Sequence, residues 1–248
     1  RPSCHRRTRA DRICDTGAAN GVGADRVLLR QVTVGHTRRV TRRILGLLAC
    51  ALALASCRID VGVDVVVEPD GTGTIAVALT ADPALVDAVP GLAGELALDD
   101  IASAGWTVDG PSSTPGGGLA VTLTNDFVSD EEATNQLASL GPPFGQMAVT
   151  RNTVGEDTTT TVTGLLGLPD GFASFADDDL QSAVGSIPFA DRLQEAGATP
   201  QNSIAATIRI ALPGTVDDEL TNGVQLDGDR YEWRVPTDGS IVELRAVS

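Results

Sequence analysis

No lysine occurs anywhere in the 248 residues; histidine appears twice, cysteine four times, and methionine and tyrosine once each. Their positions sharpen what these scarcities exclude. His5, His36, Cys4, Cys14 and Cys50 all precede residue 57, so the chain after Cys57 has no histidine, no lysine and no further cysteine. A Ser-His-Asp or Cys-His nucleophile, a lysine Schiff base and a Cys/His zinc site therefore have no residues to be built from there. An internal disulfide is equally excluded, so that part must be held by its apolar core. Also missing are a GxxxxGK[ST] phosphate loop and a GxGxxG following a strand.

Positive charge is scarce in one part and dense in another. Residues 1–56 carry 11 basic side chains against three acids, whereas Cys57–Ser248 carries seven arginines against 30 acids, a balance of −23. A folded part this acidic has no basic patch with which to release counterions from nucleic acid, so nucleic acid is excluded as its partner. Non-specific docking on anionic lipid is disfavoured for the same reason.

Long apolar runs are lacking as well. The longest lipid-compatible stretch, Ile44–Ser56, has 13 residues, too short for a helix that needs about 20 to cross a bilayer. It follows Arg38, Arg39, Arg42 and Arg43 and ends in Leu54-Ala55-Ser56-Cys57. A positive region, a short apolar region and small residues at a cut site make a secretory signal, and "LASC" resembles the bacterial lipobox. Cleavage is expected between Ser56 and Cys57, with Cys57 carrying a covalent diacylglycerol and acyl anchor. Two chains, at about 0.8 kcal/mol per buried CH₂, hold a protein on a membrane where one chain is marginal. A buried helix with an incidental cysteine is the competing explanation, and it leaves the arginines and the order of LASC unexplained.

Three segments are thus expected: 1–33 as upstream sequence outside the native protein, 34–56 as a lipoprotein signal peptide opening near Val34 or Val40, and 57–248 as one extracytoplasmic domain. The only methionine is Met147, and an all-arginine basic set fits a GC-rich coding sequence in which valine codons also serve as starts.

Within 57–248, Ile59, Val61, Val63, Val65 and Val67 alternate with mostly polar or small residues, the period of a strand with one buried face. Pro69-Asp70-Gly71 supplies a turn, and Ile75, Val77 and Leu79 alternate again, predicting a hairpin. Leu85, Val89, Leu92 and Leu96 form a helical stripe capped by Asp82 and divided at Pro90-Gly91. A second hairpin is expected from Trp106–Val108 and Leu119–Leu123 around a loop at 109–118. Ser129 with Glu132 signals a capping box for a second helix. Strands follow near 147–154 and 158–166, a helical stripe near 174–197, and strands near 204–212, 223–226, 231–235 and 241–247. Neighbouring strand pairs with short inserted helices predict an α+β fold: antiparallel hairpins with a few short helices packed on one face.

Candidate chemistry is sparse. The acidic runs Asp99-Asp100, Asp177–Asp179 and Asp217–Glu219 could pair carboxylates as a glycosidase does, but each sits where acids cap helices or solvate a face. "DGDR" and "PDGTG" lack the ligand spacing of a calcium loop and read as hairpin turns. No catalytic residue, metal ligand or cofactor is assigned. Two loops, 141–147 and 164–175, hold apolar residues amid proline and glycine. They either plug the core or rim an apolar groove, in which case Phe144, Leu168, Phe172 and Phe175 form the rim, with Arg151, Arg209 or Arg234 meeting a phosphate.

The LASC cysteine followed by "RIDVGVDVVVEPDGTGTIAVALTAD", a helical middle, "TIRIALPGTV" (Thr207–Val216) and "YEWRVPTDGSIVELRAVS" (Tyr231–Ser248) resembles the LppM-type lipoproteins of mycobacteria and other actinobacteria, over essentially all of 57–248. The resemblance implies a non-enzymatic, α+β envelope lipoprotein on the outer face of the plasma membrane. It also implies binding of phosphatidylinositol-mannoside-type lipid; only Cys57 carries over as a family residue. The family pattern adds a C-terminal transmembrane helix that these 248 residues do not include. A ligand-free structural or protein-interaction module of the envelope is the alternative, with the acidic surface as its contact face. A carboxylate hydrolase ranks behind both.

Overall fold

In a computed structural model, residues 58–96, 98–175 and 198–248 are described. The signal segment, Cys57 and most of the predicted 174–197 stripe lie outside them.

Strand β1 (Ile59–Val67) and β2 (Gly73–Ala81) pair antiparallel from Ile59↔Ala81 to Val67↔Gly73, the hairpin the alternation predicts. Asp70 makes its turn, accepting from the Thr72 hydroxyl (2.7 Å) and N–H (3.0 Å), while Gly71 takes φ +88°, where a side chain would be strained. Three short helices follow: α1 (Pro83–Ala88), α2 (Leu92–Glu95) and α3 (Leu98–Ser103). Asp82 caps α1 by accepting the Leu85 N–H at 2.8 Å, and the break falls at Pro90-Gly91, with Gly91 left-handed.

β3 (Thr107–Ser113) and β4 (Leu119–Phe127) form the second hairpin. Here the expected 109–118 loop is corrected. The strand continues through Gly110-Pro111 on a bulge between Asp109 and Ser112, and the turn shrinks to 114–118. Proline is tolerated because β3 is an edge strand. Helix α4 (Asp130–Ser139) starts at Ser129, whose hydroxyl accepts the Glu132 N–H; Glu132 returns its bond to the Val128 N–H rather than to Ser129.

The chain then forms β5 (Phe144–Val154), β6 (Asp157–Gly167), a 3₁₀ turn (Gly171–Phe175) and α5 (Pro200–Ser203). It ends with β7 (Ile204–Ala211), β8 (Val224–Asp227), β9 (Arg230–Arg234) and β10 (Ile241–Val247). The strands make a seven-stranded sheet, β3-β4-β2-β1-β7-β9-β8, and a three-stranded sheet, β10-β6-β5. Sequential neighbours are antiparallel as expected, and the fold is α+β. One joint is parallel: β1 lies beside β7, Ile59↔Ile204 through Val66↔Ala211. A parallel pair needs a crossover connection, which the chain between the two strands supplies.

Parity decides which face is buried. Val63, Val65, Ile75, Ile208 and Ile210 leave the large sheet on one side, and Phe144, Val149, Val162, Leu166 and Leu244 of the small sheet share their core. Ala133 and Leu137 of α4 complete it. Each of the valine, leucine, isoleucine and phenylalanine side chains contributes about 1.5–3 kcal/mol on burial. A second cluster, Leu85, Val89, Leu119, Leu168, Phe172 and Ile204, packs under α1, with Leu92 and Leu96 against it.

The outer edge of β10 is closed by the 217–222 loop. Asn222 Oδ1 accepts from Trp233 Nε1 (2.7 Å) and the Arg245 N–H (2.9 Å), while its Nδ2 donates to the Glu243 carbonyl (2.9 Å). Such cover removes a free edge that would otherwise pair with other chains.

Candidate functional site

The outward positions of the large sheet fall into rows set by register. Ala76, Asp64, Arg209 and Glu232 form one row across β2, β1, β7 and β9; Ala78, Gly62, Thr207 and Arg234 form the next; Thr80, Asp60 and Ala205 the third. The first row carries long charged side chains, and Arg58 and Asp60 stand at the other end. Between them the side chains are short or absent. The result is an open cleft of about 610 Å³ whose lining includes Arg58, Asp60, Gly62, Ala78, Thr207, Arg209, Glu232 and Arg234.

Its charges are paired but not buried. Arg209 Nε meets Glu232 at 2.9 Å and its guanidinium reaches Asp64 at 3.5 Å; Arg58 meets Asp60 at 2.8 Å. Arg234, 86% exposed, lies 3.7 Å from Glu232. The exposed Arg58–Asp60 pair contributes about 0–1 kcal/mol, so an anion can displace its carboxylate at small cost; Arg209 is held more firmly by the part-buried Glu232. Three of the seven arginines after Cys57 therefore face one cleft of a domain that is acidic overall.

Of the residues singled out from sequence, Arg209 and Arg234 come together here. Arg151 does not: it donates to the Pro69 carbonyl at 2.6 Å and pins β5 to the first turn. Phe144, Leu168 and Phe172 are corrected from groove rim to core, with exposures of 4%, 0% and 8%. Their loops do converge, forming a groove of about 260 Å³ lined by Pro142, Pro143, Leu165, Pro169 and Ile241. The aromatic side chains point the other way because both sheets need filling at that end. Phe175 is half exposed and outside the groove lining. Cys57 and Ser56 lie outside the described residues. Sequence reasoning missed Arg58, Asp60, Glu232 and the floor of Gly62, Ala78 and Ala205; small residues at outward strand positions were the signal, legible only once register is known.

The acidic runs have structural occupations. Asp99 and Asp100 open α3, Asp217 accepts the Glu219 and Leu220 N–H groups, and Asp218 accepts the Tyr231 hydroxyl. That bond, then burial, raises the Tyr231 pKa. Asp70 and Asp238 are lowered, chiefly by the hydroxyls of Thr72 and Ser240. Asp177–Asp179 lies outside the described residues. Among the described residues no group of three or more His, Cys, Asp or Glu is placed to hold a metal, and no helix is long and apolar enough to cross a membrane.

The arrangement defines an α+β domain with a polar, arginine-bearing cleft on an open sheet face. No protein-family model matches the chain, and no curated protein does. Among solved structures, the NMR structure of the folded domain of Mycobacterium tuberculosis LppM is similar at a TM-score of 0.45 and 14% identity, covering 77% of this chain and 90% of that one.

Proposed function

We propose that this chain is a non-enzymatic envelope lipoprotein, anchored through acylated Cys57 to the outer face of the plasma membrane, that binds a phospholipid or glycolipid headgroup in the arginine cleft. The observation that carries this is position: Arg58, the residue after the expected anchor, lines the cleft. Guanidinium groups suit phosphate by paired, charge-assisted hydrogen bonds. Asp60 and Glu232, freed from their arginines, accept hydrogen bonds from hydroxyls, so a phosphorylated polyol of the phosphatidylinositol-mannoside type matches both kinds of charged group in the lining. A ligand-free interaction module is favoured by one observation, the burial of Phe144, Leu168 and Phe172 as core.

Binding to vesicles separates the two. The mature-length chain, residues 57–248 with Cys57→Ala, which lacks the basic upstream segment and cannot be acylated, is expected to sediment with phosphatidylcholine vesicles containing phosphatidylinositol and not with phosphatidylcholine alone. Arg209→Ala with Arg234→Ala should weaken binding about tenfold or more, while Arg245→Ala, outside the cleft, should leave it unchanged. Equal binding by all three, or none by the parent, would favour the interaction module.

A further inference from the structure

Resting on the lipid binding just proposed, we infer that the cleft reads its lipid by the headgroup at the bilayer surface and leaves the acyl chains in the membrane, so that the domain senses lipid without extracting it.

Beneath the ligand runs an unbroken ladder: β1 pairs with β2 over all nine positions from Ile59↔Ala81 to Val67↔Gly73, with β7 over eight, and β7 pairs with β9 from Thr207↔Arg234. Directly under it Val63 and Ile208 are 0% exposed and Ile210 is 1% exposed. A chain entering the cleft meets backbone and then filled core, with no route between strands.

The lining is mixed: Val61, Ile204 and Val235 share it with Arg58, Asp60, Arg209, Glu232 and Arg234. An acyl chain can lie on the apolar part only by desolvating the charged part without giving it partners, and unpaired buried charge is among the most costly things a site can contain. A headgroup supplies those partners. The cleft volume, about 610 Å³, lies in the range of small-ligand sites.

Each extended residue spans at most about 3.6 Å, and the polar zone of one leaflet is roughly 5–8 Å deep. With Cys57 held in lipid, Arg58 stands within that zone, so a lipid of the same leaflet can present its headgroup while its chains stay where they are.

Gly62 is the specificity-determining floor residue. A Cβ there would find only Thr207 Oγ1, at 3.9 Å, so Gly62→Phe fills the cleft without displacing backbone.

The test uses the mature-length chain, residues 57–248 with Cys57→Ala, and two probes: glycerophosphoinositol, which has the headgroup and no chains, and phosphatidylcholine vesicles containing phosphatidylinositol with pyrene-labelled chains. Glycerophosphoinositol should displace the protein from the vesicles, no pyrene lipid should leave with the protein on gel filtration, and Gly62→Phe should weaken both interactions about tenfold or more without lowering Tm. Pyrene lipid co-eluting with the protein, or vesicle binding indifferent to glycerophosphoinositol, overturns headgroup reading and leaves lipid binding standing. Absence of binding to either probe removes the lipid proposal itself, and this inference with it.

Discussion

Gly73→Ala is expected to destabilise the domain by about 3 kcal/mol or more, lowering Tm by about 6–12 °C. Gly73 opens β2 opposite Val67 on one side and Phe127 on the other. A Cβ there would run into the Val66 carbonyl oxygen and the Phe127 ring, whose Cε1 would lie at 2.9 Å. Neither neighbour can retreat. The carbonyl belongs to the β1 strand, and Phe127, 1% exposed, is wedged in the main core. Gly62→Ala, also in a central strand of the same sheet, is the control. Its Cβ meets nothing closer than 3.9 Å, and reduced freedom of the unfolded chain should stabilise by about 0.4–1 kcal/mol. Thermal melts of both variants check the contrast; equal losses would show that the Gly73–Phe127 contact is not what the core needs. Combining Gly73→Ala with Phe127→Ala should cost less than the sum of the two, because the deleted ring is one of the two obstacles.

Cys57→Ala is expected to block both processing and anchoring. With Cys57 in place, the mature chain should begin at that residue and carry the added mass of diacylglycerol, since the thiol is the only nucleophile in LASC that can form the thioether. Two chains bind firmly enough to survive high-salt and carbonate washing, which strips proteins held by charge. The substituted protein should keep its upstream residues, incorporate no labelled palmitate and lack the acyl mass. Intact-mass measurement of membrane-extracted protein decides between these. A mature chain beginning elsewhere, or a Cys57 thiol that reacts freely with maleimide, would contradict the anchor.

Much of the fold was legible because its signals are local. The alternation of Ile59 through Val67 set β1, Pro69-Asp70-Gly71 its turn, Asp82 and Ser129 two helix starts, and Ile241–Val247 the last strand to the residue. The parallel β1–β7 joint was not, because no local pattern distinguishes which distant strand a half-buried strand will choose. β3 was cut short on paper because Gly110-Pro111 reads as loop chemistry, and only edge position rescues it. The candidate site divided in the same way. Arg209 and Arg234 were picked because cations are rare here, a compositional fact. For Phe144, Leu168 and Phe172 the sequence left two readings, core plug or groove rim, because apolar residues among glycine and proline suit either; packing between elements turns them inward. The cleft itself is made by Ala78, Gly62, Thr207 and Arg234 lining up across four strands, an outcome of register that has no counterpart in linear sequence.

Hydrogen exchange of residues 57–248 carrying Cys57→Ala, with and without phosphatidylinositol-containing vesicles, tests the cleft most directly. Ligand on the open sheet face should slow exchange in β1, β7 and β9, at 59–64, 204–209 and 230–234, and leave the convergent loops at 141–147 and 164–175 unchanged. Protection confined to those loops, or spread evenly over the acidic surface, would contradict a headgroup site built by Arg58, Arg209 and Arg234.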